Sequence, residues 1–156
     1  MRYTLKCITL AGISACLVLG AVGTTSPAQP NRDFVRGVFE EPLVPLGVSS
    51  SSERAELERA LEAYKNQGGA QPLETFLEVH PASAWRASLL WGLSTVYRRM
   101  GAHSKELTAL RQAWAILHAA SGPVSPLEDR VVGDLAEVLV RYGKQADLRA
   151  LLDSLS

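Results

Sequence analysis

The sequence predicts an all-α protein, and three observations support this. Apolar residues recur at spacings of three and four from residue 53 onward, the period of a helix with one buried face. Serine-x-x-glutamate capping boxes and single glycines interrupt this pattern where helices would begin and end. No stretch shows the alternating β-branched residues or the Asn-Gly turn that predicts a β-hairpin. We therefore expect six helices arranged as three antiparallel hairpins.

The first predicted hairpin precedes Pro81. Ser50 and Glu53 form a capping box for its first helix, which ends at Gly68. The second helix starts near Pro72, a residue suited to the first helical turn, and ends before Pro81 because a residue preceding proline disfavours helical geometry. The apolar faces comprise Leu57, Leu61 and Tyr64 in the first helix and Leu73, Phe76 and Leu77 in the second.

The second hairpin contains a regular amphipathic helix followed by a longer one. Ser83 is the predicted N-cap of the first helix, and Gly101 ends it. The next helix starts near Ser104 and ends at Gly122. The apolar faces comprise Leu90, Leu93, Tyr97 and Met100 in the first helix and Leu107, Leu110, Trp114 and Leu117 in the second.

The third hairpin has the clearest start signal in the chain. Ser125 is the predicted cap, Pro126 the first helical residue and Glu128 the partner in the capping box. Gly143 ends this helix, and a sixth helix runs to the end of the sequence. The apolar residues are Leu127, Val131, Leu135, Val138, Leu139 and Tyr142, then Leu148, Leu151, Leu152 and Leu155.

Residues 1–23 are predicted to be an export signal peptide. Basic residues come first, an uncharged apolar run covers residues 7–23, and small residues close it. The protein is therefore expected to be exported to the periplasm or secreted. A retained membrane anchor is an alternative, because the run approaches the length of a bilayer span. Cys16 is a candidate for lipidation, since "ISAC" resembles a bacterial lipobox; the apolar run continuing beyond it favours an ordinary signal core. A lipid would make the protein a membrane-tethered lipoprotein with a role in assembly.

Residues 24–52 are predicted to be a leader or linker rich in proline and serine. Four prolines in this stretch exclude a helix. Its apolar middle has no helical period, so two interpretations stay open: an extended segment lying against the helices, or a flexible spacer. Residues 53–156 form the predicted helical domain.

Composition and motifs exclude several function classes. The formal net charge is zero, which gives nucleic-acid binding no electrostatic support. Both cysteines lie in the first 16 residues, and the three histidines have no metal-ligand spacing. Nucleophile elbows, phosphate-binding loops and paired catalytic carboxylates are missing from the sequence. We therefore expect no catalytic residues, no metal and no cofactor, and a role other than that of an enzyme.

The helical pattern repeats and resembles the tetratricopeptide repeat. Gly68, Gly101 and Gly143 end the first helix of each hairpin, and a large residue precedes each of them by four positions. The middle unit fits best, through Leu90, Leu93, Ser94, Tyr97, Gly101, Leu110 and Ala113. This resemblance covers residues 53–156 and implies a short right-handed solenoid of three stacked hairpins. One departure is Glu106, which stands where the family has a small residue.

A narrower resemblance concerns residues 77–114. This stretch is similar to the tetratricopeptide-like segment near the N-terminus of large exported bacterial proteins with rearrangement-hotspot (YD) repeats, of the polymorphic toxin type. The resemblance implies that the chain is either a stand-alone copy of that module or a part of, or truncation from, such a protein.

The resemblance implies a groove lined by the first helix of each hairpin, which would bind a protein or peptide partner. On this chain the groove residues are Trp91, Thr95, Arg98 and Arg99 in the second hairpin and Arg130 and Arg141 in the third. An aromatic residue beside arginines can hold an extended peptide or a carboxylate. Two alternatives stay open: Trp91 packs on a neighbouring helix while the arginines are solvated, or the domain is a structural spacer or dimerisation module without a groove.

Overall fold

A computed structural model of the protein describes residue 39, residues 43–120 and residues 125–155. These residues form six α-helices and no β-strand, which confirms the all-α prediction for this part of the chain. The predicted export signal and Cys16 lie outside the described residues. The helices are α1 (Ser51–Gln67), α2 (Gln71–Val79), α3 (Arg86–Arg99), α4 (His103–Ala119), α5 (Pro126–Arg141) and α6 (Gln145–Asp153).

Serine caps begin α1 and α5, as predicted. The Ser50 hydroxyl accepts the backbone N–H of Glu53 at 3.1 Å, and the Ser125 hydroxyl accepts that of Glu128 at 3.2 Å. Each bond satisfies one of the N–H groups that a helix leaves unpaired at its start. α1 begins at Ser51, slightly before the predicted domain boundary at residue 53.

The start of α3 differs from the prediction. α3 begins at Arg86 rather than directly after Ser83. The Ser83 hydroxyl accepts the N–H of Trp85 at 3.1 Å, but it also donates to Glu53 of α1 at 2.6 Å. Ser83 therefore ties α1 to the turn before α3 instead of capping α3.

The predicted glycine stops are confirmed. Gly68, Gly101 and Gly143 have φ angles of 73°, 69° and 65°, in the left-handed region that glycine adopts without strain. The assignment of Met100 to the apolar face is wrong, because this side chain is 61% exposed. Met100 follows the last residue of α3, where the chain is already turning toward Gly101.

The apolar core consists of two groups of buried residues. The first group joins residues of α1, α2, α3 and α4 to the start of α5. The second joins α4, α5 and α6 through Leu107, Leu110, Leu135, Val138, Leu139 and Leu151. Trp91 and Trp114 are partly buried and pack against both groups, so they connect them.

Helices that follow one another in the chain pack against one another. The most extensive contact joins α3 to α4, and further contacts join α1 to α2, α4 to α5 and α5 to α6. Short turns keep consecutive helices adjacent. Among the described residues, no helix combines the length and hydropathy that crossing a membrane requires.

Part of the leader lies against the helices. We call residue 39 together with residues 43–48 the strap. Leu43 is only 6% exposed and belongs to the first core group, against which Phe39 also packs. The backbone N–H of Val44 donates to the Ser88 hydroxyl at 3.2 Å. Of the two interpretations of the leader, packing on the helices describes these residues.

Candidate functional site

Three predicted groove residues lie on one side of α3. Trp91, Thr95 and Arg98 are spaced i, i+4 and i+7, which places them on one helical face. The Trp91 indole N–H donates to the Asp134 carboxylate on α5 at 2.7 Å. The Arg130 guanidinium, one turn earlier on α5, lies 6.0 Å from the Trp91 ring centroid, within cation–π range. This end of the predicted groove thus connects α3 to α5.

A buried carboxylate connects the other ends of α3 and α5. Glu106 of α4 is 0% exposed. Its Oε1 accepts a hydrogen bond from Arg98 Nε at 2.7 Å and lies 3.5 Å from an Arg141 guanidinium nitrogen. Its Oε2 accepts the Tyr142 hydroxyl proton at 2.6 Å. Burying an isolated charge would cost roughly several kcal/mol, and these partners offset that cost.

The network keeps Glu106 charged. Burial raises the pKa of this carboxyl, but the hydrogen bonds from Tyr142 and Arg98 and the charges of Arg98 and Arg141 outweigh burial, and the net pKa is below the usual 4.5. Burial and the bond to Glu106 raise the pKa of Tyr142. The network extends to the surface, where Tyr142 Oη lies 2.8 Å from His103 Nδ1 and Glu137 pairs with Arg141.

These contacts indicate that α3 and α5 point in the same direction. Trp91, in the first half of α3, meets Asp134 in the middle of α5, and the end of α3 is joined through Glu106 to the end of α5. Trp91 and Arg98 are separated by about 10 Å along the helix axis. We call the surface formed by Trp91, Thr95, Arg98, Arg99, Arg130 and Arg141 the α3–α5 face.

The predicted residues differ in what they offer a ligand. Trp91 is half-buried and held by Asp134, as the packing interpretation of this residue expects. Thr95 is partly exposed, whereas Arg99 and Arg130 are exposed. The Arg98 and Arg141 side chains are 34% and 37% exposed, and they converge on one oxygen of Glu106.

Sequence reasoning missed three residues that organise this surface: Glu106, Asp134 and Tyr142. Asp134 and Tyr142 meet their partners only through the packing of distant helices, so no local pattern indicates them. Glu106 did leave a signal, because a charged residue replaces a small one in the repeat pattern. A charge at a core position implies a buried partner.

The arrangement suits recognition of an anionic or polar group. An arginine has five N–H donors in a planar fork, so the bonds to Glu106 and the further pair of Arg141 with Glu137 do not use all the donors of Arg98 and Arg141. Converging guanidinium groups pair well with a carboxylate. Within residues 43–120 and 125–155 and residue 39, no three His, Cys, Asp or Glu side chains are grouped as metal ligands.

A separate cleft of about 540 Å³ lies between α2, α3 and α4. Its floor includes Leu90 and Leu93. At its rim, one oxygen of Glu74 accepts hydrogen bonds from the Tyr97 hydroxyl at 2.7 Å and from Lys105 at 2.8 Å. The bond from Lys105, followed by that from Tyr97, lowers the pKa of Glu74. Glu74 and Lys105 are thus already paired with each other.

Comparison of the chain with protein-family models, curated proteins and solved structures finds no match.

Proposed function

We propose that the protein is an exported helical-repeat scaffold that binds a protein or peptide partner through the α3–α5 face. One observation carries this proposal: Arg98 and Arg141, from two helices that point in the same direction, converge on one oxygen of Glu106 while about a third of each side chain remains exposed. Guanidinium groups held in this way are organised before a ligand arrives, which reduces the entropy cost of binding.

The common direction of α3 and α5 supports a right-handed, tetratricopeptide-like solenoid of three stacked antiparallel hairpins. Stacked hairpins bring the first helices of consecutive units side by side, with the second helices in a layer behind them. Contacts between α3 and α5, together with the packing of α4 against both, fit this arrangement. The resulting groove would be lined by the α3–α5 face.

The expected ligand is an extended peptide with a carboxylate, supplied by an acidic side chain or a free C-terminus. Its carboxylate would pair with Arg98 and Arg141, and its backbone would pass Thr95 toward Trp91 and Arg130. The apolar ring of Trp91 and the Arg130 charge above it suit a peptide that carries both apolar and acidic side chains.

Defined ligands and matched variants test this proposal. Peptides selected from a library displaying free C-termini would be measured against the folded protein and against Arg99→Glu and Arg130→Glu. We expect each substitution to weaken binding at least tenfold, because both change charge on the exposed part of the face. Arg149→Glu, an exposed change on α6, is the control. If all variants bound the peptides equally and kept their melting temperatures, the α3–α5 face would not be the binding surface.

Export is the second part of the proposal and rests on residues 1–23. The mass of the mature protein tests it directly. A chain starting after Gly23 agrees with a cleaved signal, a lipid-bearing start at Cys16 indicates a tethered lipoprotein, and an intact N-terminus indicates a retained anchor.

A second candidate function is self-association through α6. Leu152 on this helix and Leu155 just beyond its end are 53% and 50% exposed, and a second copy could cover such an apolar pair. Sedimentation of the protein and of Leu152→Glu distinguishes the two functions. A dimer that the substitution converts to a monomer would favour a dimerisation module.

A further inference from the structure

We propose that the surface beneath the strap is a peptide-binding site whose resident ligand is the strap itself, residue 39 with residues 43–48, and that the same segment from a second copy competes for it. This site involves Ser88 and Gly92 rather than the α3–α5 face, so the inference does not depend on the proposed function.

Two unusual residues on α3 form the site. Ser88 and Gly92 are one turn apart on the same helical face, and both are buried. Glycine inside a helix costs about 1 kcal/mol relative to alanine, and serine is also a weaker helix former. Both are explained by the strap: Ser88 accepts the N–H of Val44, and a Cβ on Gly92 would lie 2.8 Å from two ring carbons of Phe39.

The strap is held by backbone hydrogen bonds and buried side chains, as a bound peptide would be. Besides the bond to Ser88, the N–H of Leu46 donates to the Ala84 carbonyl at 2.8 Å. These two backbone bonds set the register of the segment, and side chains supply the specificity. Leu43 is buried, and the Phe39 ring stacks on Tyr64 of α1 with centroids 6.0 Å apart. The recognised pattern is therefore an aromatic residue followed, after three positions, by Leu-x-x-Leu, since Leu46 also packs against the core.

The connection to α1 permits exchange between copies. Val48 is fully exposed, and Gly47 beside it is also exposed, so releasing the strap breaks few contacts at this end. A second copy presents an identical segment and would reproduce every strap contact. Exchange of an identical element between protomers needs no new interface.

Binding of a labelled synthetic peptide with the sequence of residues 39–48 tests the inference. The full chain carrying Phe39→Ala and Leu43→Ala has a weakened strap, so it should bind the peptide at least tenfold more tightly than the unaltered chain. Adding Gly92→Ala to that variant should reduce binding at least tenfold, because the new Cβ fills the space of the peptide's phenylalanine. Val48→Ala is the matched control and should bind like the unaltered chain.

A measurement on the unaltered protein complements the variants. Excess unlabelled peptide should shift the NMR signals of the Val44 and Leu46 amides as the strap is displaced, and a scrambled peptide should not. The inference fails if the strap variant loses cooperative unfolding, because the segment would then be an integral part of the core. It also fails if that variant stays folded and binds no peptide.

Discussion

At the scale of single residues, Glu106 shows how a departure from a repeat pattern is accommodated. Its carboxylate occupies a core position, yet three side chains from α3, α5 and the turn after α5 satisfy it. Breaking such a network is costly, because the remaining charges lose their partners. The same residue sets the positions of Arg98 and Arg141, so a core substitution would also change the candidate site.

Replacing Glu106 by glutamine should reduce the free energy of unfolding by about 1–3 kcal/mol at neutral pH, since hydrogen bonds to a charged group are lost. The folded pKa of Glu106 lies below the usual 4.5, so its stabilisation is complete above pH 4.5 and is lost as pH falls through the lowered pKa. The difference in unfolding free energy between the unaltered protein and Glu106→Gln should therefore shrink in acid. Urea denaturation at several pH values measures it.

Glu137→Gln is the control for this substitution. Glu137 also pairs with Arg141, but its side chain is 57% exposed. Exposed pairs contribute about 0–1 kcal/mol. If Glu137→Gln lowered the free energy of unfolding as much as Glu106→Gln does, the importance assigned to burial would be contradicted.

Two helical glycines provide a matched comparison. Gly133 lies on the exposed side of α5, and a Cβ there would meet nothing within 4 Å. Gly133→Ala should stabilise the protein by up to about 1 kcal/mol through helix propensity. Gly92→Ala should lack this gain because its Cβ would meet the Phe39 ring. Urea denaturation measures both, and equal stabilisation would contradict the close packing of Phe39.

At the scale of helices, the boundaries that depend on local chemistry were predictable. Capping boxes at Ser50 and Ser125 and the left-handed glycines act through neighbouring residues, so the sequence contains the whole signal. The start of α3 was not predictable in the same way. Ser83 has a partner on α1, 30 positions away in the chain, and only the folded protein brings the two together.

Removing the cap of α5 tests this account of helix ends. Ser125→Ala should lower the free energy of unfolding by about 1 kcal/mol, because the N–H of Glu128 loses its acceptor. Ser104→Ala, at an exposed position inside α4, should change stability by less than about 0.5 kcal/mol. Thermal or urea denaturation measures the stability of both variants. A similar loss of stability in both would contradict the role of Ser125 as a cap.

At the scale of the whole molecule, periodicity predicted the helices, but not how they meet. The side chains of the α3–α5 face were named through the resemblance to the tetratricopeptide repeat, whereas their partners Asp134 and Glu106 were found only in the structure. A segment without helical period carries no signal for its packing, so the sequence leaves the position of the leader open. Its contacts with Ser88 and Gly92 depend on residues about 50 positions away.

The most direct test of the central claim is to map where a selected peptide binds. In an NMR titration of the folded protein, we expect amide shifts at Thr95, Arg99 and Arg130 and a shift of the Trp91 indole N–H. Shifts confined to α6, or to the cleft between α2 and α4, would contradict the claim that the α3–α5 face is the partner-binding surface.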